Sequence, residues 1–175
     1  MTKILVTGPQ GSGKTTHSKL LSERLQIPLI DTGNMLRNLA ETNTSDGRRI
    51  KEQLDKGNLA PDDIVGKIVQ ARVSQEDCKS GFVMDGYPRS LEQLQVFDPG
   101  YDHVFYLDIS DREVTQRLLE RGRVDDTTEL IARRLDLYHE RTEPVLDYYQ
   151  DLDILTRVNG SGSIEEVEKR IQEAL

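Results

Sequence analysis

The chain has 175 residues, with 23 Lys and Arg against 31 Asp and Glu, a formal net charge of −8. A domain of this length buries enough surface to fold without staples, and its single cysteine, Cys78, excludes a disulfide framework or a cysteine-based zinc cluster. The acidic balance argues against a nucleic-acid or membrane-binding surface, and the apolar runs are too short to span a bilayer.

Residues 1–3 lead straight into a strand-like run, KILVT at 3–7, leaving no room for a signal peptide, so a cytoplasmic protein is expected. Gly8-Pro9-Gln10-Gly11-Ser12-Gly13-Lys14-Thr15 follows and opens a helical pattern over 14–25. The segment satisfies G-x-x-x-x-G-K-[ST] in the strand–loop–helix setting that this motif requires. Its glycines let backbone N–H groups turn inward around an anion, and the helix N-terminus adds its positive end. Lys14 supplies a point charge for β- and γ-phosphates, and a hydroxyl of Thr15 or Thr16 can approach Mg²⁺. The plainer alternative is a glycine-rich turn capping an ordinary helix. No Asn-Lys-x-Asp segment follows, which weakens a guanine-nucleotide switch.

A short strand at 28–31 runs into Asp31-Thr32-Gly33-Asn34-Met35-Leu36-Arg37. Helical patterns at 33–41, 46–56 and 62–75 come next. Residues 36–73 thus hold three helices where one would serve as a crossover, which suggests an inserted helical flap. A strand at 82–85 leads into Asp85-Gly86-Tyr87-Pro88-Arg89-Ser90-Leu91-Glu92-Gln93, with a helix over 90–97. Further along are a strand at 103–108, a helix at 111–121, one long helix over 126–149, a strand at 154–158 and a helix at 163–174. Asp126 with Glu129 and Ser163 with Glu166 fit capping-box spacing. Strands alternating with helices predict one α/β domain, a five-stranded parallel sheet flanked by helices. Both polar segments then lie at carboxyl ends of strands, where open α/β sheets bind ligands. His17, His103 and His139 have no metal-ligand spacing. Tyr138, Tyr148 and Tyr149 share an apolar helix side and read as packing residues.

Taken in order, these segments resemble the nucleoside monophosphate kinases, and most closely the adenylate kinase family. The shared pattern is a P-loop, Thr-Gly-x-x-x-Arg, Asp-Gly-Tyr-Pro-Arg, and Arg121-Gly122-Arg123-Val124-Asp125-Asp126 with Arg134 and Val158-Asn159-Gly160. The resemblance runs from Lys3 to the C-terminus. It implies a P-loop NTPase-type three-layer fold, with a helical insert for the monophosphate at about 33–73 and a vestigial lid at about 121–126. It implies reversible Mg²⁺-dependent phosphoryl transfer from ATP to AMP, giving two ADP.

The roles it implies fall into three groups. Gly11, Ser12, Gly13, Lys14, Thr15 and Thr16 would hold the ATP phosphates, with Arg117 against the adenine and Val158 and Gly160 lining its pocket. Arg37 and Arg89 would hold the AMP phosphate, beside Thr32, Gly33, Leu59, Ala60 and Gly86, with Gln93 reading the adenine edge. Lys14, Arg89, Arg121, Arg123 and Arg134 would surround the transferring phosphoryl group, and Asp85 would hold water of the Mg²⁺ shell. Phosphoryl transfer asks for positioning and charge neutralisation more than for covalent chemistry, which fits so many arginines.

Three departures stand out. Thr15 occupies a usual glycine position, Asn34 replaces an aspartate, and Gly122 alone separates Arg121 from Arg123, an unusually short-lid or lidless form without zinc. A UMP/CMP kinase of the same fold is the nearest alternative, disfavoured by Thr32 and Gln93. A non-catalytic nucleotide-binding module is a second, disfavoured by the five phosphate-facing arginines. A monomer or small homo-oligomer is expected. Between Arg117 and Arg141 six arginines meet six acids, so the net acidity lies elsewhere on the chain.

Overall fold

Apolar residues alternate along β1 (Thr2–Thr7) so that Ile4 and Val6 face one side and Leu5 the other, as the period of a strand requires. The computed structural model, which describes residues 1–124 and 126–175, builds two cores on that alternation. On one side Ile4 and Val6 join Val83, Phe105 and Leu107 beneath Leu21 of α1 (Lys14–Leu25) and Val167 and Ile171 of α9 (Ile164–Glu173). On the other, Leu5, Met84 and Val104 pack under Val65 and Val69 of α4 (Asp62–Val73) and under Tyr87, Tyr101 and Tyr149. Helix, sheet and helix thus form three layers.

Among the described residues the sheet has five strands in the order β2-β3-β1-β4-β5, every pair parallel. The remaining strands are β2 (Leu29–Asp31), β3 (Gly81–Asp85), β4 (His103–Asp108) and β5 (Leu155–Asn159). From β1 the chain crosses to β2 at one edge, whereas β3 hands it to β4 on the far side of β1. The strand order therefore reverses at β1 and opens a crevice at its carboxyl end, where the glycine-rich loop emerges.

Between β2 and β3 stand α2 (Thr32–Ala40), α3 (Ser45–Asp55) and α4, the surplus helices expected there. The tip of this insert touches α7 (Thr128–Leu137). Arg133 donates through Nε and Nη2 to Asn58 Oδ1 at 3.3 and 3.0 Å. Gly57, at φ +72°, sits so close under Leu130 that a Cβ would lie 3.1 Å from its Cδ2. After β3 come α5 (Leu91–Val96), capped by Ser90, and later α6 (Asp111–Arg121).

Two expectations are corrected. The helix expected over 126–149 is α7, a wider π turn at Tyr138–Thr142, then α8 (Glu143–Asp151). Pro144 in the first turn of α8 has no N–H, so the α ladder cannot run through it, and the extra residue is absorbed in the π turn. Nor does Asp126 cap α7. Thr127 does, accepting from Leu130 N at 3.3 Å, while Asp126 is drawn to arginines. The Ser163–Glu166 capping box forms as expected. Asp125, within the lid segment, lies outside the described residues.

His139 in the π turn ties α6 to α8. Its Nε2 lies 2.9 Å from Asp111 Oδ2 and its Nδ1 3.0 Å from Glu143 Oε1. The Asp111 bond chiefly raises its pKa, despite some burial, with Glu143 adding to the rise. A raised pKa gives stability that is fully present below the unfolded value near 6.5 and is lost as pH rises through the folded value. His139→Gln is therefore expected to destabilise the protein at pH 6 and to match wild type at pH 9, as read from urea unfolding midpoints.

Candidate active site

Three loops meet at the carboxyl end of the sheet. The first winds from Gly8 to Gly13, with Gly8, Gly11 and Gly13 at positive φ. At Gly11, φ +85°, a Cβ would also lie 2.9 Å from Leu118 Cγ, so only glycine fits both the backbone and the space. Gly13 stands at the N-cap of α1, whose first residue is Lys14. The Lys14 ammonium donates to Pro9 O at 3.2 Å. Burial pulls its pKa down to about 8; Asp85 opposes this, while Arg89 and Arg121 add to it. These four charged groups therefore sense one another across the crevice.

The second loop carries Asp85. Thr15 Oγ1 donates to Asp85 Oδ2 in a short hydrogen bond, while Oδ1 is buried without a protein partner. A buried acceptor of this kind calls for a bound water or ion. Magnesium prefers one or two carboxylates together with substrate phosphates and water. Asp85, hydrogen-bonded to Thr15 at the foot of the phosphate loop, fits that requirement. Among the described residues no three His, Cys, Asp or Glu side chains cluster as a metal cage.

Beyond Asp85, Gly86 adopts φ +88° and turns the chain so that its carbonyl accepts from Arg89 Nε at 3.1 Å. The Arg89 backbone is fixed at both ends: its N–H donates to Gln93 Oε1 at 2.8 Å, and its carbonyl accepts from Thr142 Oγ1 at 2.8 Å. Burial lowers the Arg89 pKa; Asp85 opposes this, and Arg37 and Arg134 reinforce it. A Cβ on Gly86 would lie 3.1 Å from Arg89 Nη2, in a backbone region that L residues rarely adopt. Gly86→Ala is accordingly expected to raise the KM for the acceptor about tenfold or more by displacing Arg89, measured by steady-state kinetics with the donor saturating.

These loops open on a cavity of about 750 Å³. Its lining includes Gln10, Lys14, Gly33, Asn34, Arg37, Leu59, Ala60, Gly86, Arg89, Gln93 and Arg134. Arg37 lies over Gly33, whose Cβ would be 3.2 Å from Arg37 Nη1. The Gln93 bond to Arg89 occupies its oxygen and leaves Nε2 as the donor side of the amide. Thr32 is set apart: it is buried under the cavity, and its hydroxyl donates to Met84 Sδ at 3.4 Å.

The arginines after α6 divide. Arg121 grips Asp126 with two bonds, Nε to Oδ2 at 2.9 Å and Nη2 to Oδ1 at 2.7 Å, and Arg134 Nη1 reaches Oδ1 at 3.4 Å. Arg121 and Arg123 stand outside the cavity lining, and the Arg123 side chain is exposed. On the other side of the phosphate loop, Arg117 Nη2 donates to Gly160 O at 3.1 Å, above buried Val158. Residues that sequence reasoning missed also line the cavity: Val124, Leu130, Leu137, Tyr138 and Thr142. Two of the five, Tyr138 and Thr142, lie in the π turn, and only the Pro144 position hinted at it.

The adenylate kinase family model matches residues 6–154. The chain is 42% identical over 186 aligned residues to an adenylate kinase of Kocuria rhizophila, covering 100% of this chain and 99% of that protein. It is 41% identical over 182 residues to adenylate kinase 1 of Nostoc sp., covering 100% and 99%. With an adenylate kinase of Bifidobacterium longum it shares 41% over 180 residues, covering 97% of each.

Proposed function

The chain belongs to the adenylate kinase family, and from that premise we propose how its residues divide the reaction between them. The reaction is reversible transfer of a phosphoryl group from ATP to AMP, giving two ADP. Gly11, Ser12, Gly13, Lys14, Thr15 and Thr16 wrap the donor phosphates, with Arg117, Val158 and Gly160 at its base. Arg37, Arg89, Gly33, Gly86, Leu59, Ala60 and Gln93 hold AMP, and Thr32 shapes the cavity floor from beneath. Arg89, Arg121, Arg123 and Arg134 join Lys14 around the phosphoryl group in flight. Asp85, through water, and Thr15 would hold Mg²⁺, which would supply charge neutralisation on the donor phosphates. The insert at about 33–73 is the monophosphate-binding part and 121–126 a vestigial lid.

The observation that carries this reading is the convergence of Lys14, Arg37, Arg89 and Arg134 on one cavity beside the phosphate loop. An acceptor that is already an ionised phosphate needs no base, and these cations neutralise the charge of both nucleotides as they approach. Gln93 and a cavity wall of Leu36, Leu54 and Leu59 suit a flat base. The reading extends to a cytoplasmic monomer or small homo-oligomer that binds neither nucleic acid nor membrane. The unpaired, buried Cys78 is in keeping with a reducing compartment.

A coupled assay of ADP formation from ATP with AMP, UMP, CMP or no acceptor tests the proposal. Turnover with AMP far above the others is expected. Turnover with UMP or CMP alone would favour a pyrimidine kinase, and none with any acceptor a binding module.

The lowered Lys14 pKa adds a pH signature. Donor phosphates favour the charged ammonium, so above pH 8 binding draws a proton from solution. ATP affinity is expected to be flat below pH 7 and to fall about tenfold per pH unit between 8 and 10. Calorimetry in two buffers of different ionisation enthalpy measures the proton uptake, and Lys14→Met is expected to abolish it.

A further inference from the structure

One cluster near the donor side contains a carboxylate, Glu113, that the scheme above leaves unused. Arg117 leaves α6 one turn after Glu113, and its Nη2 donates to Glu113 Oε1 at 2.6 Å as well as to Gly160 O. Its Nη1 reaches Ser12 O at 3.5 Å. The second oxygen of the same carboxylate, Oε2, accepts from Ser161 Oγ at 2.7 Å. Glu113 therefore ties the helix that bears Arg117 to the turn that bears Gly160. From the opposite side Arg170 of α9 donates to Asn159 O and Ser161 O at 2.9 and 2.8 Å. The turn 159–161 is gripped from both flanks. With three of its five N–H groups committed to Glu113, Gly160 and Ser12, the guanidinium of Arg117 is held in one plane and can offer a ligand its flat face. Such a face stacks on a base, and stacking depends on the plane being held still.

We propose that Glu113 is a positioning residue for the donor nucleotide, acting through Arg117 and Ser161. It sets the plane of the guanidinium and its spacing from the Gly160 backbone before the base arrives, so less ordering is left to binding. The inference rests on the reading of Arg117 as the platform for the donor base. Glu113 makes no contact with the acceptor cavity, so its influence is confined to donor binding.

Steady-state kinetics of the full chain, with ATP and AMP varied in turn, separate the outcomes. Glu113→Ala is expected to raise the KM for ATP about tenfold, the effect of one charge-assisted hydrogen bond. The kcat should stay within about twofold of wild type and the KM for AMP should be unchanged. Glu113→Gln keeps an acceptor for Arg117 and a donor for Ser161, and is expected to recover most of the loss. The double variant Glu113→Ala/Arg117→Ala should bind ATP no worse than Arg117→Ala alone, because the two side chains act as one unit.

A wild-type KM for ATP in Glu113→Ala overturns the proposal. So does an additive double variant, or a loss shared equally by ATP and AMP with a lowered melting temperature, which marks a general brace. Arg117→Ala with an unchanged KM for ATP would instead overturn the role given to Arg117 itself, a result distinct from the others.

Discussion

Arg89→Ala is expected to lower kcat/KM for AMP phosphorylation about 10²- to 10³-fold, with most of the loss in kcat. The guanidinium is aimed by three ties, two local and one from the π turn: Nε to Gly86 O, backbone N–H to Gln93, and backbone carbonyl to Thr142. In the role proposed for it, it would meet a phosphoryl group without rearranging, and preorganised charge of this kind lowers barriers more than charge that must move into place. Arg89→Lys is expected to recover less than a tenth of the activity, because an ammonium cannot reproduce the planar fork. Stability should move the other way. Arg89 is partly buried and lies near Arg37 and Arg134, and both desolvation and those cations disfavour its charge. The alanine variant is thus expected to unfold at the same or a slightly higher temperature than wild type, the usual direction when a strained functional charge is removed. A fully active variant would refute the role.

Asp126→Ala is expected to destabilise the protein by about 2 kcal/mol and to lower kcat about tenfold or more. The Asp126 side chain is 0% exposed and sits between Arg121 and Arg134, which are 35% and 13% exposed. Its removal leaves two cations facing each other and frees the fork of Arg121 to rotate. The Arg121 bond chiefly holds the Asp126 carboxyl below the usual carboxylate range, with Arg134 contributing less. A depressed pKa gives stability that is present above the unfolded value near 3.9 and lost as pH falls through the folded one. Unfolding by urea should therefore separate the variant from wild type at pH 7, with the gap closing in strong acid. Equal midpoints at pH 7 would show that the arginines find other partners.

The glycine-rich loop, the two strand-end segments and the parallel sheet were legible because each depends on local chemistry: glycine spacing, apolar period, turn residues. The single helix over 126–149 failed on one residue. Pro144 stood in the sequence as a breaker, yet periodicity outweighed it, and the cost of its missing N–H was met by a π turn rather than an end. Asp126 was misread for a different reason. Its spacing to Glu129 satisfies a cap, but a carboxylate gains more from Arg121 and Arg134 than from a backbone N–H, and those partners are set by how α6 and α7 come together. Thr142 under Arg89 and Ser161 against Glu113 are likewise products of tertiary packing, 53 and 48 residues from their partners. The Glu113–Arg117 pair, four apart on one helix face, is the exception that spacing alone could have disclosed.

The touch between Asn58 and Arg133 holds the tip of the helical insert against α7. Because the acceptor is an amide oxygen at the surface, the two bonds together are worth about 1–2 kcal/mol. A latch of that size stands undone in roughly one molecule in six to one in thirty at any instant. No carboxylate takes part, so added salt has little charge to screen. The contact between insert and α7 is therefore expected to loosen with temperature far more than with ionic strength.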